Sequence, residues 1–291
     1  MLVFLPGLWW YAFAMPLLLG KDRMNMEKMD ECRRLLETVI VEAGSLLEGM
    51  FGDQHEVRYK GEINLVTEAD LLSEALIKDR IRNHFPRHDI LAEESAGTAN
   101  GSPFRWIIDP LDGTTNYSHG YPIFSTSIAL EVEGEVLLGA VYNPMLKELF
   151  LAEKGQGAFL NGKRLAVSRT AALDKGLLAT GFPYDLRADR NNNMNYFRAI
   201  AMRAQAVRRA GSAALDLAYV AAGRFDGFWE LKLMPWDTAA GALLVTEAGG
   251  AVTDLLGAPF HLHSSDILAG NGLINDELLR IIAATDPLYR P

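Results

Sequence analysis

Two carboxylates three residues apart, Asp109 and Asp112, follow a short apolar run from Trp106 to Ile108, and Gly113, Thr114, Thr115 and Asn116 come directly after them. The apolar run reads as a buried strand. Pro110 and Gly113 punctuate its end, so a tight turn is expected there, with both aspartates on one side and the Leu111 carbonyl facing them. Threonine and asparagine cap helix N-termini. The stretch therefore combines hard oxygen donors with a helix start whose N–H groups receive an anion. Such donors suit Mg²⁺, which takes few carboxylates and completes its octahedron with phosphate oxygens.

A lone D-x-x-D-G also fits a solvated turn whose aspartates only cap a helix. The stretch looks superficially like the D-x-D-G-T of phosphatases that form an aspartyl-phosphate. The three-residue spacing here argues for a metal cradle rather than a carboxylate nucleophile. A second strand also ends in acids: His88 to Ala92 leads into Glu93-Glu94-Ser95. Two strands that deliver carboxylates at their ends suggest one shared site at a sheet edge, although a Glu-Glu pair taken alone is more often part of a solvated loop.

The elements that must position these acids are legible from periodicity. From Lys28 to Gly52, Met29, Leu35, Leu36, Val39, Ile40, Ala43, Leu46, Leu47 and Met50 recur at helical spacing, a core-packing pattern. Leu65-Val66 leads into Thr67-Glu68-Ala69-Asp70, an N-cap with an acid three residues on. The helix so opened ends at Phe85, before Pro86. In that reading Asp70 is a cap partner, worth about 0.3–1 kcal/mol. Between Pro122 and Leu165 the pattern is a meander of hairpins: Phe124 to Val132, Val136 to Tyr142, Glu148 to Ala152 and Ala158 to Leu160.

Beyond Ser168 strands and helices alternate. Strands are expected at Leu177 to Thr180, Ala206 to Arg209, Phe225 to Leu231, Val252 to Leu255 and Ile267 to Gly270. Helices are expected at Asn193 to Ala204, from Gly211-Ser212-Ala213 to Gly223, from Trp236-Asp237 to Ala248, and at Asp276 to Ala284. The fold class is mixed α/β. Three parts follow: residues 1–25 as an apolar leader, 26–168 as a helix pair plus antiparallel sheet with the main metal site, and 169–291 as an α/β unit supplying Asp237.

The chain has 291 residues, enough for a substantial core. Its formal charge of -9 argues against a phosphate-backbone-binding surface, so no nucleic-acid partner is expected. The single cysteine, Cys32, excludes an internal disulfide, fits a reducing compartment such as the cytoplasm, and reads as packing on a helix. Leu2 to Gly20 is an uncharged run interrupted by Pro6 and Pro16, with no basic residue before it. It stands for a translation start at Met24, Met26 or Met29, a membrane anchor, or a packed arm; membrane contact is expected only if residues 2–20 are retained.

In combination, Leu65 to Asp70, Glu93-Glu94-Ser95, Trp106 to Asn116, Arg209 to Ala213, Pro235-Trp236-Asp237 and Glu247 to Gly250 resemble the inositol monophosphatase family of Mg²⁺-dependent phosphatases, from about Met29 to the last helix. The resemblance implies a layered α-β-α-β-α sandwich, commonly a homodimer, and two or three Mg²⁺ per active site. It implies Glu93, Asp109 and the Leu111 carbonyl as ligands of one Mg²⁺, and Asp109, Asp112 and Asp237 as ligands of a second. On residue type alone, Asp237 would be an ordinary helix cap.

The same resemblance implies phosphate binding by Gly113 and Thr114. It implies a substrate pocket at Gly211, Ser212, Ala213, Glu230 and Asp237, and a catalytic set of Thr114, Glu94 and the position of Asn64. The family usually has aspartate at Asn64, paired with the threonine at Thr114; an asparagine takes no proton near neutral pH. Thr114 and the metal are then expected to carry water activation, which an Asn64→Asp exchange tests.

The expected substrate is a small phosphorylated polyol, myo-inositol 1-phosphate first, with Li⁺ inhibition. Relatives also act on fructose 1,6-bisphosphate, histidinol phosphate or nucleoside bisphosphates. One bacterial relative works in transcription complexes through its surface, and the cluster Arg203, Arg208 and Arg209 is the feature here that such a role would use; a solvated or domain-interface cluster is the plainer reading.

Overall fold

A computed structural model describes the backbone of residues 9–52, 57–59 and 65–285, and the side chains of residues 28–52 and 66–285. The elements in order are α1 (Trp9–Met50), β1 (Val57–Tyr59), β2 (Leu65–Thr67), α2 (Glu68–His84), β3 (Asp89–Ala92), β4 (Phe104–Asp112), α3 (Thr114–Ser118), β5 (Ser125–Val132), β6 (Glu135–Asn143), β7 (Glu148–Glu153), β8 (Gly157–Leu160) and β9 (Lys163–Arg164). There follow β10 (Leu177–Thr180), α4 (Met194–Ala201), β11 (Ala206–Arg208), α5 (Ala213–Ala221), β12 (Gly227–Leu231), α6 (Pro235–Glu247), β13 (Ala251–Thr253), β14 (Asp266–Gly270) and α7 (Asn275–Thr285).

The elements stack as the expected α-β-α-β-α sandwich. Helices α1 and α2 cover one face of a seven-stranded sheet ordered β3-β4-β5-β6-β7-β8-β9. Helices α5 and α6 lie between it and a five-stranded sheet ordered β11-β10-β12-β14-β13, whose far side carries α4 and α7. In the seven-stranded sheet the described meander strands pair antiparallel, while β3 joins β4 in parallel; in the five-stranded sheet β10 pairs in parallel with β11 and β12. The largest core surrounds α5 and α6 and draws Ile107, Ala129 and Val141 from one sheet and Ala179, Phe228 and Ile267 from the other. Residues on both sides of position 168 thus share one core.

Helix α2 begins where its capping signal predicts: Thr67 N–H and Oγ1 donate to Asp70 Oδ2 at 2.8 and 2.5 Å. It ends before Pro86 because proline cannot continue the hydrogen-bond ladder. The side chains of Leu2 to Gly20 lie outside the described residues. Among the described residues no helix is long and apolar enough to cross a membrane. Cys32 is fully buried on α1, and burial pushes its thiol up to about 12.

One sequence expectation is corrected. The turn falls at Gly113 and not at Pro110; β4 passes through Pro110 to Asp112 with an irregularity. Pairing with β5 shifts register between Asp109 and Asp112, so the missing proline N–H falls where the ladder is interrupted. The Pro110 carbonyl instead accepts the hydroxyls of Ser73 and Thr126 at 3.0 and 3.2 Å.

His88 is stacked between Phe85 and Phe104, with ring centroids 4.5 and 4.6 Å away. Its Nδ1 accepts the Trp106 indole N–H at 3.1 Å, which requires the neutral ring. Burial first, then the nearby Lys28 charge, lowers its pKa to about 4. The unfolded chain, with an ordinary histidine near pH 6.5, binds the extra proton first. This contribution to stability is complete above about pH 6.5 and is lost as pH falls to about 4. Urea midpoints measured over that window are expected to drop, with a shallower slope in His88→Gln; equal slopes would remove His88 as the cause.

Candidate active site

The ends of β3, β4 and β12, the starts of α3, α5 and α6, and the loop after β10 converge on one cavity of about 530 Å³. Glu93, Asp109, Leu111, Asp112, Gly113, Thr114, Gly211, Ser212, Ala213, Glu230 and Asp237 all line it. Glu94 does not; its backbone N–H donates to Glu74 Oε2 at 2.8 Å. Asn64 lies outside the described residues.

Each aspartate has one carboxylate oxygen tied by its own neighbourhood. Asp109 Oδ1 accepts from Leu111 N at 3.0 Å. Asp112 Oδ2 accepts from Ser212 Oγ at 2.6 Å and Ala214 N at 2.7 Å, so the start of α5 grips it. Asp237 Oδ2 accepts from Met234 N at 2.7 Å. Asp237 is therefore a helix cap and a lining residue at once, because the third residue of α6 points back over its own N-terminus.

Burial raises the Asp109 carboxyl well above the ordinary range, and repulsion from Glu93, Asp112 and Asp237 adds to it. Burial likewise raises Asp112 to about 6 against the pull of Ser212 and Ala214, and raises Asp237 with Asp112 adding to it. Among the described residues no three acidic, histidine or cysteine side chains are drawn into a ready-made metal cluster. The chemistry of the donor set nonetheless fits a hard divalent cation: all donors are oxygens, and their mutual repulsion is what a cation between them would relieve.

Gly113 makes the turn into α3 with φ of 101°, and a β-carbon there would lie 3.1 Å from the Ile123 carbonyl oxygen and 3.2 Å from that of Gly211. Two motifs distant in sequence thus touch backbone to backbone, and Asn116 Nδ2 reinforces the join by donating to the Ile123 and Ala210 carbonyls at 2.6 and 2.8 Å.

Sequence reasoning missed several contributors. The Thr114 hydroxyl donates to Asp70 Oδ1 at 3.0 Å, with the Leu111 carbonyl at 3.1 Å as its alternative acceptor. Asp70 is thus more than a cap, and it supplies a carboxylate beside Thr114 whatever stands at Asn64. Asn64→Asp is accordingly expected to change kcat by less than about threefold in a steady-state assay. Burial raises the Asp70 carboxyl, against the hydrogen bonds from Thr67.

Asp216 lies on α5 with Oδ1 buried and, among the described residues, without a hydrogen-bond partner; burial together with Glu230 and Asp112 raises it well above the ordinary range. An aspartate in the otherwise apolar Ala213–Ala221, one turn after Ser212, was the available signal. Of the basic cluster, Arg209 lines the cavity and Arg203 and Arg208 do not; the latter two are exposed, and each donates to a backbone carbonyl.

Glu230, next to last in β12, is buried, and burial raises it to about 8. Its carboxylate lies against Gly181: a β-carbon there would be 2.1 Å from Oε1 and 2.3 Å from Oε2. Gly181 is held by Asn193, whose Nδ2 donates to the Gly181 carbonyl at 2.6 Å while its Oδ1 accepts from Trp229 Nε1 at 2.6 Å. Gly181→Ala must therefore displace Glu230. The expected result is a KM for a polyol phosphate raised by about tenfold or more, with a smaller change for p-nitrophenyl phosphate, which has no hydroxyls to lose.

The profile described as the inositol monophosphatase family matches residues 28–286. The chain belongs to the inositol monophosphatase family. It is similar to an inositol-1-monophosphatase of Synechocystis sp., 46% identical over 86% of this chain and 88% of that protein. It is also similar to the Nus factor SuhB of Escherichia coli, 48% identical over 75% of this chain and 82% of that one. The solved inositol monophosphatase of Anabaena (Nostoc) sp. superposes with a TM-score of 0.82 at 43% identity, over 90% of this chain and 98% of that structure. Membership in the inositol monophosphatase family supports a phosphatase.

Proposed function

We propose that the chain is a Mg²⁺-dependent phosphomonoesterase that hydrolyses myo-inositol 1-phosphate to myo-inositol and phosphate. The observation that carries this reading is the convergence of Glu93, Asp109, Asp112 and Asp237 with Thr114 around one cavity. The two-metal assignment carries over from the family: Glu93, Asp109 and the Leu111 carbonyl would hold one ion, and Asp109, Asp112 and Asp237 another. When bound, Mg²⁺ supplies Lewis-acid charge to the phosphoryl group and makes water acidic enough to attack near neutral pH.

The protein's own groups do the rest. The N-terminal N–H groups of α3, at Gly113 and Thr114, orient the phosphate. Thr114 accepts a proton from the attacking water as its own hydroxyl hydrogen passes to Asp70, whose burial makes it a better base than an exposed aspartate. Glu230, with the α5 start at Gly211 to Ala213, faces the hydroxyls of the polyol and rejects esters that leave a buried carboxylate unpaired. A homodimer in the cytoplasm accompanies this reading.

The test compares kcat/KM for myo-inositol 1-phosphate, fructose 1,6-bisphosphate, histidinol phosphate and adenosine 3′,5′-bisphosphate, with and without Li⁺. Myo-inositol 1-phosphate is expected to lead; a tenfold preference for another ester would replace the substrate and keep the phosphatase.

A second reading is favoured by the similarity to the Nus factor SuhB: a binding role in transcription complexes, using the exposed Arg203 and Arg208. Complementation with Asp109→Asn separates the two, since a scaffold survives loss of catalysis and an enzyme does not.

A further inference from the structure

Helix α2 carries a buried polar edge where a helix packed on a sheet would ordinarily be apolar. Asp70, Ser73 and Glu74 are exposed by 0%, 0% and 4% respectively, and Ser73 and Glu74 follow Asp70 by one turn on the same side of the helix. Each grips a different piece of the frame around the cavity. Asp70 takes the Thr114 hydroxyl, and Ser73 donates to the Pro110 carbonyl between the two aspartates of β4. Glu74 takes the loop that follows β3. Its Oε2 accepts the Glu94 N–H at 2.8 Å and its Oε1 accepts the Ser95 hydroxyl.

Lys78, one turn further along α2, donates to Glu74 Oε1 at 3.4 Å and also to Ser95 Oγ. A buried carboxylate is costly unless it is paired and hydrogen-bonded. Glu74 meets both conditions: Lys78 of its own helix pairs its charge, and its other two donors come from the loop that bears Glu93.

Glu93 itself stands between two fixed points. Its own N–H is bonded to the Ile108 carbonyl on β4 at 3.2 Å, and the next N–H in the chain is bonded to Glu74. The backbone on either side of Glu93 is therefore pinned, once to the strand that carries Asp109 and once to α2. A loop would otherwise wander relative to the strand it serves.

We propose that Glu74 is a positioning residue for Glu93, holding the loop so that the Glu93 carboxylate enters the cavity opposite Asp109. The inference rests on the reading that Glu93 is a Mg²⁺ ligand. It adds a residue whose effect on the ion is carried entirely through the backbone of Glu94 and the hydroxyl of Ser95. Glu74→Gln keeps the shape of the side chain, but it gives up the charge that pairs with Lys78 and leaves only one oxygen for the two loop donors.

The test is calorimetric titration of Mg²⁺ into the full-length, metal-stripped protein, together with the Mg²⁺ activation constant and the melting temperature without metal. Glu93→Gln is the reference, expected to weaken Mg²⁺ binding by more than about a hundredfold. Glu74→Gln is expected to weaken it by about ten- to a hundredfold, the range seen when an outer partner of a metal ligand is removed. The activation constant should rise by the same factor, while KM for the phosphate ester at saturating Mg²⁺ stays within about twofold.

Ser95→Ala, a change at an exposed position, is expected to follow the same pattern at about threefold, and it decides the matter if Glu74→Gln does not fold. A lowered melting temperature with unchanged Mg²⁺ affinity in both variants, while Glu93→Gln loses binding, overturns the positioning role alone. Wild-type binding by Glu93→Gln overturns the metal reading of Glu93 itself, and the proposal with it.

Discussion

Asp109→Asn is expected to lower kcat/KM by about three orders of magnitude and, in the same protein, to raise the melting temperature of the metal-free form. Both effects have one cause. Asp109 is 1% exposed, and its carboxyl is raised by burial and by three neighbouring acids. An asparagine of the same shape still accepts the Leu111 N–H through its oxygen, so local geometry survives. It no longer places a charge where desolvation and repulsion oppose one, and without metal the fold gains. A gain of about 1–2 kcal/mol corresponds to roughly 2–8 °C for a protein of this size. With metal the balance inverts, because the lost carboxylate is shared by both proposed ions and Lewis-acid stabilisation is worth several kcal/mol. Calorimetric melting with and without Mg²⁺, beside steady-state kinetics, checks the pair. An Asp109→Asn enzyme at full activity would falsify the site assignment; one that melts lower without metal would show that Asp109 is not the electrostatic burden described here.

Gly113→Ala is expected to cost about 2–4 kcal/mol of stability and about a hundredfold in activity. An alanine at φ of 101° pays the left-handed penalty of about 1–2 kcal/mol. Its methyl group would also press on two backbone carbonyls, those of Ile123 and Gly211, neither of which can swing aside as a flexible side chain does. Relief must come from parting the β4–α3 turn from the start of α5. That movement misplaces the N–H groups of Gly113 and Thr114 relative to Asp112, which α5 holds through Ser212 and Ala214. Chemical denaturation and kcat measured side by side test this. A variant that loses stability without losing kcat would show that the turn serves the fold and not the site.

The sequence by itself determined much of the local structure, because periodicity and capping are local physics. Thr67 with Asp70 started α2, Pro86 ended it, and apolar runs from Phe124 to Leu160 broken by turn residues such as glycine wrote the meander. Even Asp109 and Asp112 announced a site, since two acids beside a glycine turn and a capped helix are informative at short range. The turn expected at Pro110 failed for a tertiary reason: Ser73 on α2 and Thr126 on β5 supply hydroxyls to its carbonyl, and a register shift hides its missing N–H, so the strand carries on.

Only the tertiary structure decided what faces what. Asp70 reaches Thr114 across 44 residues, and Asp112 is gripped by α5 from 102 residues away. Gly181 lies under Glu230 because β10 and β12 are parallel neighbours, and Asp216 meets the cavity because α5 is sandwiched between two sheets. Periodicity specifies which face of an element is buried. The partner that face meets depends on how the sheets are ordered and stacked, and no residue pattern within a single element records that.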